Sequence, residues 1–405
     1  MNEYLKQLEA LLSEPMASVR ERERAAFDRE LAKCEGRLVL VGAGNLGRRV
    51  LSCLRSAGIS PLAFTDNGRA RWGTEVDNLP VLSPEISAER FGSSALFVVT
   101  IWSPGHRYAD TRTQLLGIGC RNVICATRLR WKFADQLLPD YCQDLPHKVY
   151  EQASSVLEAA RLMADDFSRE EFLRQVRWRA LGDFGELSPP QPHQYFPDGL
   201  FRLSPQEVFV DCGAYDGITV RRFLKRVPGF LRICAIDADP RNYEQLVHTV
   251  SALPGRDRIE MHHLAVGADR ATVRFQSTGT VQAAVSSDGD IEVEQVSLDE
   301  LLQGAEPTFI KMDIEGAEWG ALEGARRLIR QSQPLLAVCV YHTPSDLWRI
   351  PLKIHELAPK HSLYLRPHVE DGWDLVCYAI PPERVSAMDG SARNKSQGIE
   401  HGEKS

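Results

Sequence analysis

The sequence has no apolar run of the roughly 20 residues that crossing a bilayer requires, so no membrane span is expected. Its nine cysteines form no Cys-x-x-Cys pair and no even framework. That scatter argues against a disulfide scaffold and suits a reducing compartment. The charged opening Met-Asn-Glu-Tyr-Leu-Lys lacks the apolar core of a secretory leader, and a cytoplasmic location is expected. Positive charge is not in excess either. A net charge of -7 argues against a general nucleic-acid or anionic-membrane partner. What remains, 43% hydrophobic and 25% charged over 405 residues, is a globular chain long enough for two or three domains.

One stretch organises the rest. Val-Phe-Val at 208–210 reads as a buried strand, Asp211 ends it, and a loop with Gly213 and Gly217 leads into a helix from Thr219. Strand, glycine loop and helix make the nucleotide-binding start of a doubly wound α/β fold. Glycines let the backbone approach a ligand, and the helix start offers unpaired N–H groups. The spacing is Asp-x-Gly-x-x-x-Gly, so a carboxylate stands where a dinucleotide's pyrophosphate would sit. That favours a ligand with an ammonium group, such as S-adenosylmethionine. A second strand at 231–236 ends in Asp237, placed to accept both ribose hydroxyls. On this reading Gly213→Val abolishes binding without unfolding the protein.

Before it lie other segments. Residues 2–33 read as an amphipathic helical arm broken at Pro15, for packing or for a homodimer contact. Residues 36–145 read as a Rossmann-like domain. Gly42, Gly44 and Gly47 form Gly-x-Gly-x-x-Gly between a strand and a helix, and Asp66 ends the next strand in the range of a ribose-binding acid. The run through Asn67, Gly68, Trp72, Gly73 and Leu-Pro-Val-Leu at 79–82 resembles the nucleotide-sugar-binding domains of sugar acetyltransferases of the bacillosamine-pathway type. The resemblance covers about fifty residues and implies a UDP-sugar ligand. NAD is the other candidate, and glycines kept only for tight packing are the bland one. Residues 146–193 read as a helical linker, with Ser168 and Glu171 as a capping box.

Beyond Asp237 the alternation continues. Residues 259–266 read as a strand reaching Ala265, and 271–276 with 291–296 as a hairpin. Residues 277–290 between them read as a mobile loop near the ligand. Phe-Ile-Lys-Met-Asp-Ile-Glu at 309–315 reads as a strand whose alternation points Lys311, Asp313 and Glu315 the same way, into a cleft. The next strand, 334–340, ends beside it in Tyr341 and His342. Two last strands, 362–368 and 374–380, read as an antiparallel hairpin closing a seven-stranded sheet. A polar tail at 386–405 reads as disordered.

Together these residues resemble an FkbM-type methyltransferase over 194–385. The motifs are Val-Asp-Cys-Gly-Ala-Tyr-Asp-Gly at 210–217, Ala-Ile-Asp-Ala-Asp-Pro at 235–240, Val-Ser-Leu-Asp at 296–299, Lys-Met-Asp-Ile-Glu-Gly-Ala-Glu at 311–318 and Val-Tyr-His at 340–342. Asp237 and Ala238 depart from the family's usual Glu-Pro. The resemblance implies a class I methyltransferase sheet that uses S-adenosylmethionine to methylate a hydroxyl of a sugar, glycan or glycosylated metabolite. It puts the cofactor on Asp211, Gly213, Ala214, Gly217, Asp237 and Ala265. Catalysis falls to His342 as the general base, Asp313 as its partner, Lys311 beside the developing alkoxide and Glu315 in reserve. Asp313 and His342 alone are too few ligands to assign a metal. Two other classes compete: an NAD-dependent sugar oxidoreductase, weakened by the lack of a Tyr-x-x-x-Lys pair in residues 36–145, and a non-catalytic nucleotide-sugar-binding protein.

Overall fold

The computed structural model describes residues 3–277, 284–285, 289 and 291–386. Two helices open it, Glu3–Leu12 and Met16–Ala32, with Pro15 as the cap of the second. The first packs Tyr4 and Leu8 into the core of the C-terminal half, and Tyr4 Oη donates to the Ala160 carbonyl at 2.7 Å. The arm therefore packs within its own chain.

The N-terminal sheet has six strands: β1 (Leu38–Val41), β2 (Ala63–Thr65), β3 (Glu75–Val76), β4 (Leu79–Leu82), β5 (Leu96–Val99) and β6 (Asn122–Cys125). Their order is β3-β4-β2-β1-β5-β6, and only the β3–β4 pair is antiparallel. β1 and β5 are buried at every residue, as strands of a parallel sheet covered on both faces must be.

Two short helices, Thr127–Lys132 and Ala134–Leu137, follow β6, and three more, His147–Glu151, Ala153–Arg161 and Asp166–Leu181, lead to the C-terminal half. The capping box expected at Ser168 is not there. Asp165 is the N-cap, its carboxylate accepting the Ser168 N–H at 2.8 Å, so the helix starts earlier than Ser168. Asp competes well for this position because its oxygen satisfies an N–H orphaned at the helix start.

The C-terminal half is built on β7 (Val208–Cys212), β8 (Arg232–Asp237), β9 (Ile259–His263), β10 (Ala265–Val266), β11 (Ala271–Gln276), β12 (Ala284–Val285), β13 (Ile291–Val296), β14 (Phe309–Met312), β15 (Leu335–Cys339), β16 (Ser362–Pro367) and β17 (Leu375–Ile380). Seven of them form one sheet in the order β16-β17-β15-β14-β7-β8-β9. β17 is antiparallel to both of its neighbours and the rest are parallel. This is the doubly wound sheet of class I methyltransferases. The single strand expected at 259–266 is split: β9 stays in the large sheet, while β10 pairs with β13 in a separate four-stranded sheet β10-β13-β11-β12. Most of the loop expected at 277–290, and all but the first residue of the expected tail, lie outside the described residues.

β8 and β14 flank β7 on opposite sides, so the strand order reverses at β7 and a crevice opens at the carboxyl ends of these strands. The N-terminal half closes one side of it. Trp102 Nε1 donates to the Asp371 carbonyl at 3.0 Å, and the Tyr108 N–H donates to the Asp371 carboxylate at 2.7 Å. The Trp102 and Trp373 rings lie 4.7 Å apart. Among the described residues no helix is long and apolar enough to cross a membrane.

Candidate active site

The crevice is a cleft of about 260 Å³. At one end it is lined by Gly213, Tyr215, Asp237, Ala238, Asn242 and Ala265, and at the other by Lys311, Asp313, Glu315, Tyr341, Trp373 and Asp374. Pro104 and Tyr141 reach it from outside the methyltransferase-like region, and Tyr195 from the start of that region.

The loop after β7 is shaped by backbone demands. Gly213 has φ +80°, and a Cβ there would lie 1.9 Å from the Asp313 carbonyl oxygen. The glycine is needed for fold as well as for ligand approach, so Gly213→Val cannot spare folding. Gly217 does not line the cleft. At φ +83° it starts the helix Ile218–Arg226, where a Cβ would press on Leu246 and Thr249 of the neighbouring helix. Ala214 is buried, with its N–H on the Ile236 carbonyl. Asp211 does not face the cleft either. Register pairs it with Lys311 on β14, and its carboxylate sits 3.0 Å from Lys311 Nζ with both side chains fully buried. Of the six residues expected to hold the cofactor, three line the cleft: Gly213, Asp237 and Ala265.

Asp237 is the acceptor at that end. One oxygen takes the Tyr215 N–H at 2.7 Å and the other the Asp239 N–H at 3.0 Å. A carboxylate oxygen carries a second lone pair, so each can still accept a hydroxyl. Burial pushes its pKa up to about 6, against the pull of those two N–H groups.

At the other end, strand alternation does not explain the convergence of Lys311, Asp313 and Glu315. β14 stops at Met312. Glu315 reaches the cleft through a left-handed turn, φ +53° at Glu315 and +100° at Gly316. Glu318 pins that turn, accepting the Ile314 N–H at 2.8 Å and the Gly316 N–H at 3.0 Å. A non-glycine residue in this conformation costs about 1–2 kcal/mol, and such strain collects at functional sites.

Lys311 is not free to stabilise an alkoxide. Its three protons are committed to Asp211 and to the carbonyls of Gly213, 2.6 Å, and Cys212, 3.2 Å. Burial works against its charge, but Asp211 and Asp313 outweigh that and raise its pKa. It holds the loop and the carboxylates in place.

His342 is also not the free base expected. Its side chain is 1% exposed and it is absent from the cleft wall. Nδ1 lies 2.8 Å from Glu318, while Nε2 faces Asp313 at 3.4 Å and Glu315 at 3.5 Å. Burial opposes its charge, yet Glu318 and Glu315 prevail and hold its pKa well above the ordinary value. An imidazole that keeps its proton at neutral pH cannot take another. Asp313 is brought to His342 as expected. Burial raises its pKa, but Lys311 and His342 more than offset this and keep it ionised. Burial raises the pKa of Glu315.

Sequence reasoning missed several residues here. Tyr195 donates its hydroxyl to Asp313 Oδ2 at 2.6 Å, and Tyr141 donates to Glu315 Oε2 at 3.3 Å. Tyr141, Tyr341 and Trp373 form an aromatic wall, with the Tyr141 and Trp373 rings 4.8 Å apart. Glu318 was in plain view in the Lys-Met-Asp-Ile-Glu-Gly-Ala-Glu motif, at helix spacing from the turn it pins. Nothing local in the sequence marks Tyr141.

Residues 211–366 match the family model of the methyltransferase FkbM domain. This region is an FkbM methyltransferase domain. The crystal structure of the methyltransferase FkbM from Methylobacillus flagellatus KT is similar over 93% of this chain and 98% of that one, at 25% identity and a TM-score of 0.74. The likeness thus extends through the N-terminal half of the FkbM protein. Two fibrillarins are far weaker matches. That of Methanococcus jannaschii is 12% identical over 46% of this chain and 71% of its own, with a TM-score of 0.29. That of Aeropyrum pernix, solved with natively bound S-adenosyl-L-methionine, is 16% identical over 45% and 70%, with a TM-score of 0.27. No curated protein sequence matches the chain. The protein is a methyltransferase with S-adenosylmethionine as its methyl donor, and Gly213, Asp237 and Ala265 fit such a group: a close backbone approach, a paired acceptor and a small side chain along one wall.

The N-terminal fingerprint is used differently. A Cβ at Gly42 would meet Ile101 at 2.4 Å, and one at Gly47 the Gly42 carbonyl at 2.1 Å. These glycines serve tight packing, while Gly44 faces open space. Asp66 is already engaged by the Ala43 N–H at 2.9 Å, the Gly68 N–H at 2.7 Å and Arg71 at 2.9 Å. The space beside them, about 20 Å³, holds little more than a water. The UDP-sugar or NAD expected there finds no enclosed cavity of its size beside these residues.

Proposed function

We propose that the protein is an O-methyltransferase acting on a hydroxyl of a sugar, glycan or glycosylated metabolite. The observation that carries this is the makeup of the cleft beyond Asp237. Tyr141, Tyr341 and Trp373 line it together with the carboxylates of Asp313, Glu315 and Asp374. Aromatic faces suit the C–H side of a sugar ring, and carboxylates accept its hydroxyls. When bound, S-adenosylmethionine supplies an electrophilic methyl carbon. Asp237 accepts the ribose hydroxyls, Gly213 admits the cofactor's close approach, and Ala265 leaves space along the wall. The aromatic wall and Asp374 orient the acceptor so that its oxygen lies in line with the methyl, which is where most of the rate gain arises. The hydroxyl proton leaves toward the carboxylates of Asp313 and Glu315, which line the cleft, and not toward His342, which already holds its proton. It leaves as the C–O bond forms and the C–S bond breaks with its pair on sulfur. Lys311 and Tyr195 hold Asp313 for this.

Residues 36–145 act on this reading as a scaffold that sets Pro104 and Tyr141 into the acceptor wall, not as a second nucleotide site. The test is transfer of a labelled methyl group to a panel of free sugars, glycosides, amines and catechols. Selective labelling of a sugar hydroxyl is expected. Labelling confined to amines, or to aromatic hydroxyls, would sink the proposal.

A further inference from the structure

The cluster of Asp313, Glu315 and His342 is arranged in a way that acid–base chemistry does not require. Each of the three side chains has one polar atom tied to an outer partner and one turned inward. Asp313 Oδ2 takes the Tyr195 hydroxyl, leaving Oδ1 buried and without a hydrogen bond. Glu315 Oε2 takes the Tyr141 hydroxyl, leaving Oε1 facing His342. His342 gives Nδ1–H to Glu318, leaving Nε2 buried and without a hydrogen bond. All three side chains offer ligand atoms within 4.8 Å of one another, and they are the one such group of three among the described residues.

The spacing is informative. Nε2 stands 3.4 Å from Asp313 Oδ1 and 3.5 Å from Glu315 Oε1. A charge-assisted hydrogen bond closes to about 2.7–2.9 Å, and neither contact does. Two atoms each about 2.1 Å from a shared ion, at angles of roughly 90–115°, lie about 3.0–3.5 Å apart. The outer partners fit the same pattern, since a ligating histidine ordinarily donates its other N–H to a carboxylate and ligating carboxylates are themselves hydrogen-bonded.

We propose that Asp313, Glu315 and His342 bind one divalent metal ion at the acceptor end of the cleft, the ion taking the place of the Nε2 proton, which is released to solvent as it binds. Two carboxylates and one imidazole form a borderline donor set, suited to Mn²⁺ or Zn²⁺ more than to Mg²⁺ or Ca²⁺. Three protein ligands leave coordination positions open, and Asp313 and Glu315 both line the cleft, so those positions face the acceptor. There the ion fixes the position of a hydroxyl oxygen and draws electron density from it. That role rests on the O-methyl reading above; the binding of an ion does not.

The test uses the full chain, stripped with EDTA and titrated with Mn²⁺ alone. Loss of the free Mn²⁺ resonance is expected at one ion per chain, and spin-echo modulation of the bound ion should show nitrogen coupling from an imidazole. Glu315→Gln keeps size and hydrogen bonding, and should weaken Mn²⁺ by more than tenfold while circular dichroism stays unchanged. His342→Gln should remove the nitrogen coupling. Should that variant not fold, the Glu315→Gln titration and the coupling in the unsubstituted chain decide. Absence of binding by both Mn²⁺ and Zn²⁺ up to millimolar concentrations, bound Mn²⁺ with no nitrogen coupling, or unchanged affinity in Glu315→Gln would each overturn the proposal. Metal binding without methylation of any sugar would leave this site standing and sink the substrate reading instead.

Discussion

Asp237 makes the cofactor site sensitive to pH in a direction that can be worked out. It is 7% exposed, and burial lifts its pKa to about 6. The unfolded chain's aspartates ionise near 3.9. The stabilising effect of keeping Asp237 neutral is therefore full below about pH 3.9 and is lost as pH rises through 6. At neutral pH the folded protein carries a charge that costs it about 3 kcal/mol, from two pKa units at about 1.4 kcal/mol each. Ligand binding has the opposite sign. Only the ionised carboxylate offers both oxygens to a pair of ribose hydroxyls, so apparent affinity falls as the group is protonated. For a pKa of about 6 the dissociation constant should double at pH 6 and rise about tenfold at pH 5, relative to pH 8. Calorimetry with S-adenosylmethionine from pH 5 to 8 checks this. Near pH 6, runs in buffers of different ionisation enthalpy should show release of about half a proton. Asp237→Asn should bind weakly at every pH and lose the slope. A flat affinity between pH 5 and 8 with no proton release would refute the assignment of Asp237 to the ribose.

Other outcomes follow from the packing. Gly213→Ala puts a Cβ against the Asp313 carbonyl and should lower stability by on the order of 1–3 kcal/mol in denaturant melts; an unchanged midpoint would show that the loop yields freely. Lys311→Met leaves Asp211 buried without its charge partner and should cost about 3–5 kcal/mol, read by the same melts, with a loss under 1 kcal/mol counting against the pair as a fixed element. Tyr141→Ala should raise the acceptor KM several-fold, from the loss of about 1 kcal/mol of aromatic contact, with cofactor affinity unmoved; an equal change in both would place Tyr141 elsewhere. Asp66→Ala should lower stability by about 1–2 kcal/mol and leave methyl transfer to the acceptor unaltered, whereas gain or loss of a nucleotide signal in calorimetry would reopen the N-terminal site.

The sequence by itself determined where the buried strands of the large sheet run and how they are wound, though not the split of 259–266 between two sheets or the end of β14 at Met312. Apolar runs such as Phe209 and Val210, or Leu335 to Cys339, have to be buried on both faces, and alternating strands and helices then admit only a parallel sheet with its crevice at the carboxyl ends. Asp237 was legible for the same reason: its place at the end of the second strand fixes its place at the crevice. Motif spacing likewise brought Asp313 and His342 to adjacent strand ends. What the sequence could not decide was what each polar group would meet. Whether Asp211 faces a ligand or a lysine depends on the register of β7 against β14. Whether His342 is a base depends on three carboxylates gathered from one turn, and that turn is left-handed at Glu315 because Glu318 folds back on it. Tyr141, 174 residues from its partner Glu315, reaches the cleft only because the N-terminal half docks there. Protonation and ligation are set by neighbours within a few ångströms, and these neighbours come from distant parts of the chain, so only the tertiary structure decided them.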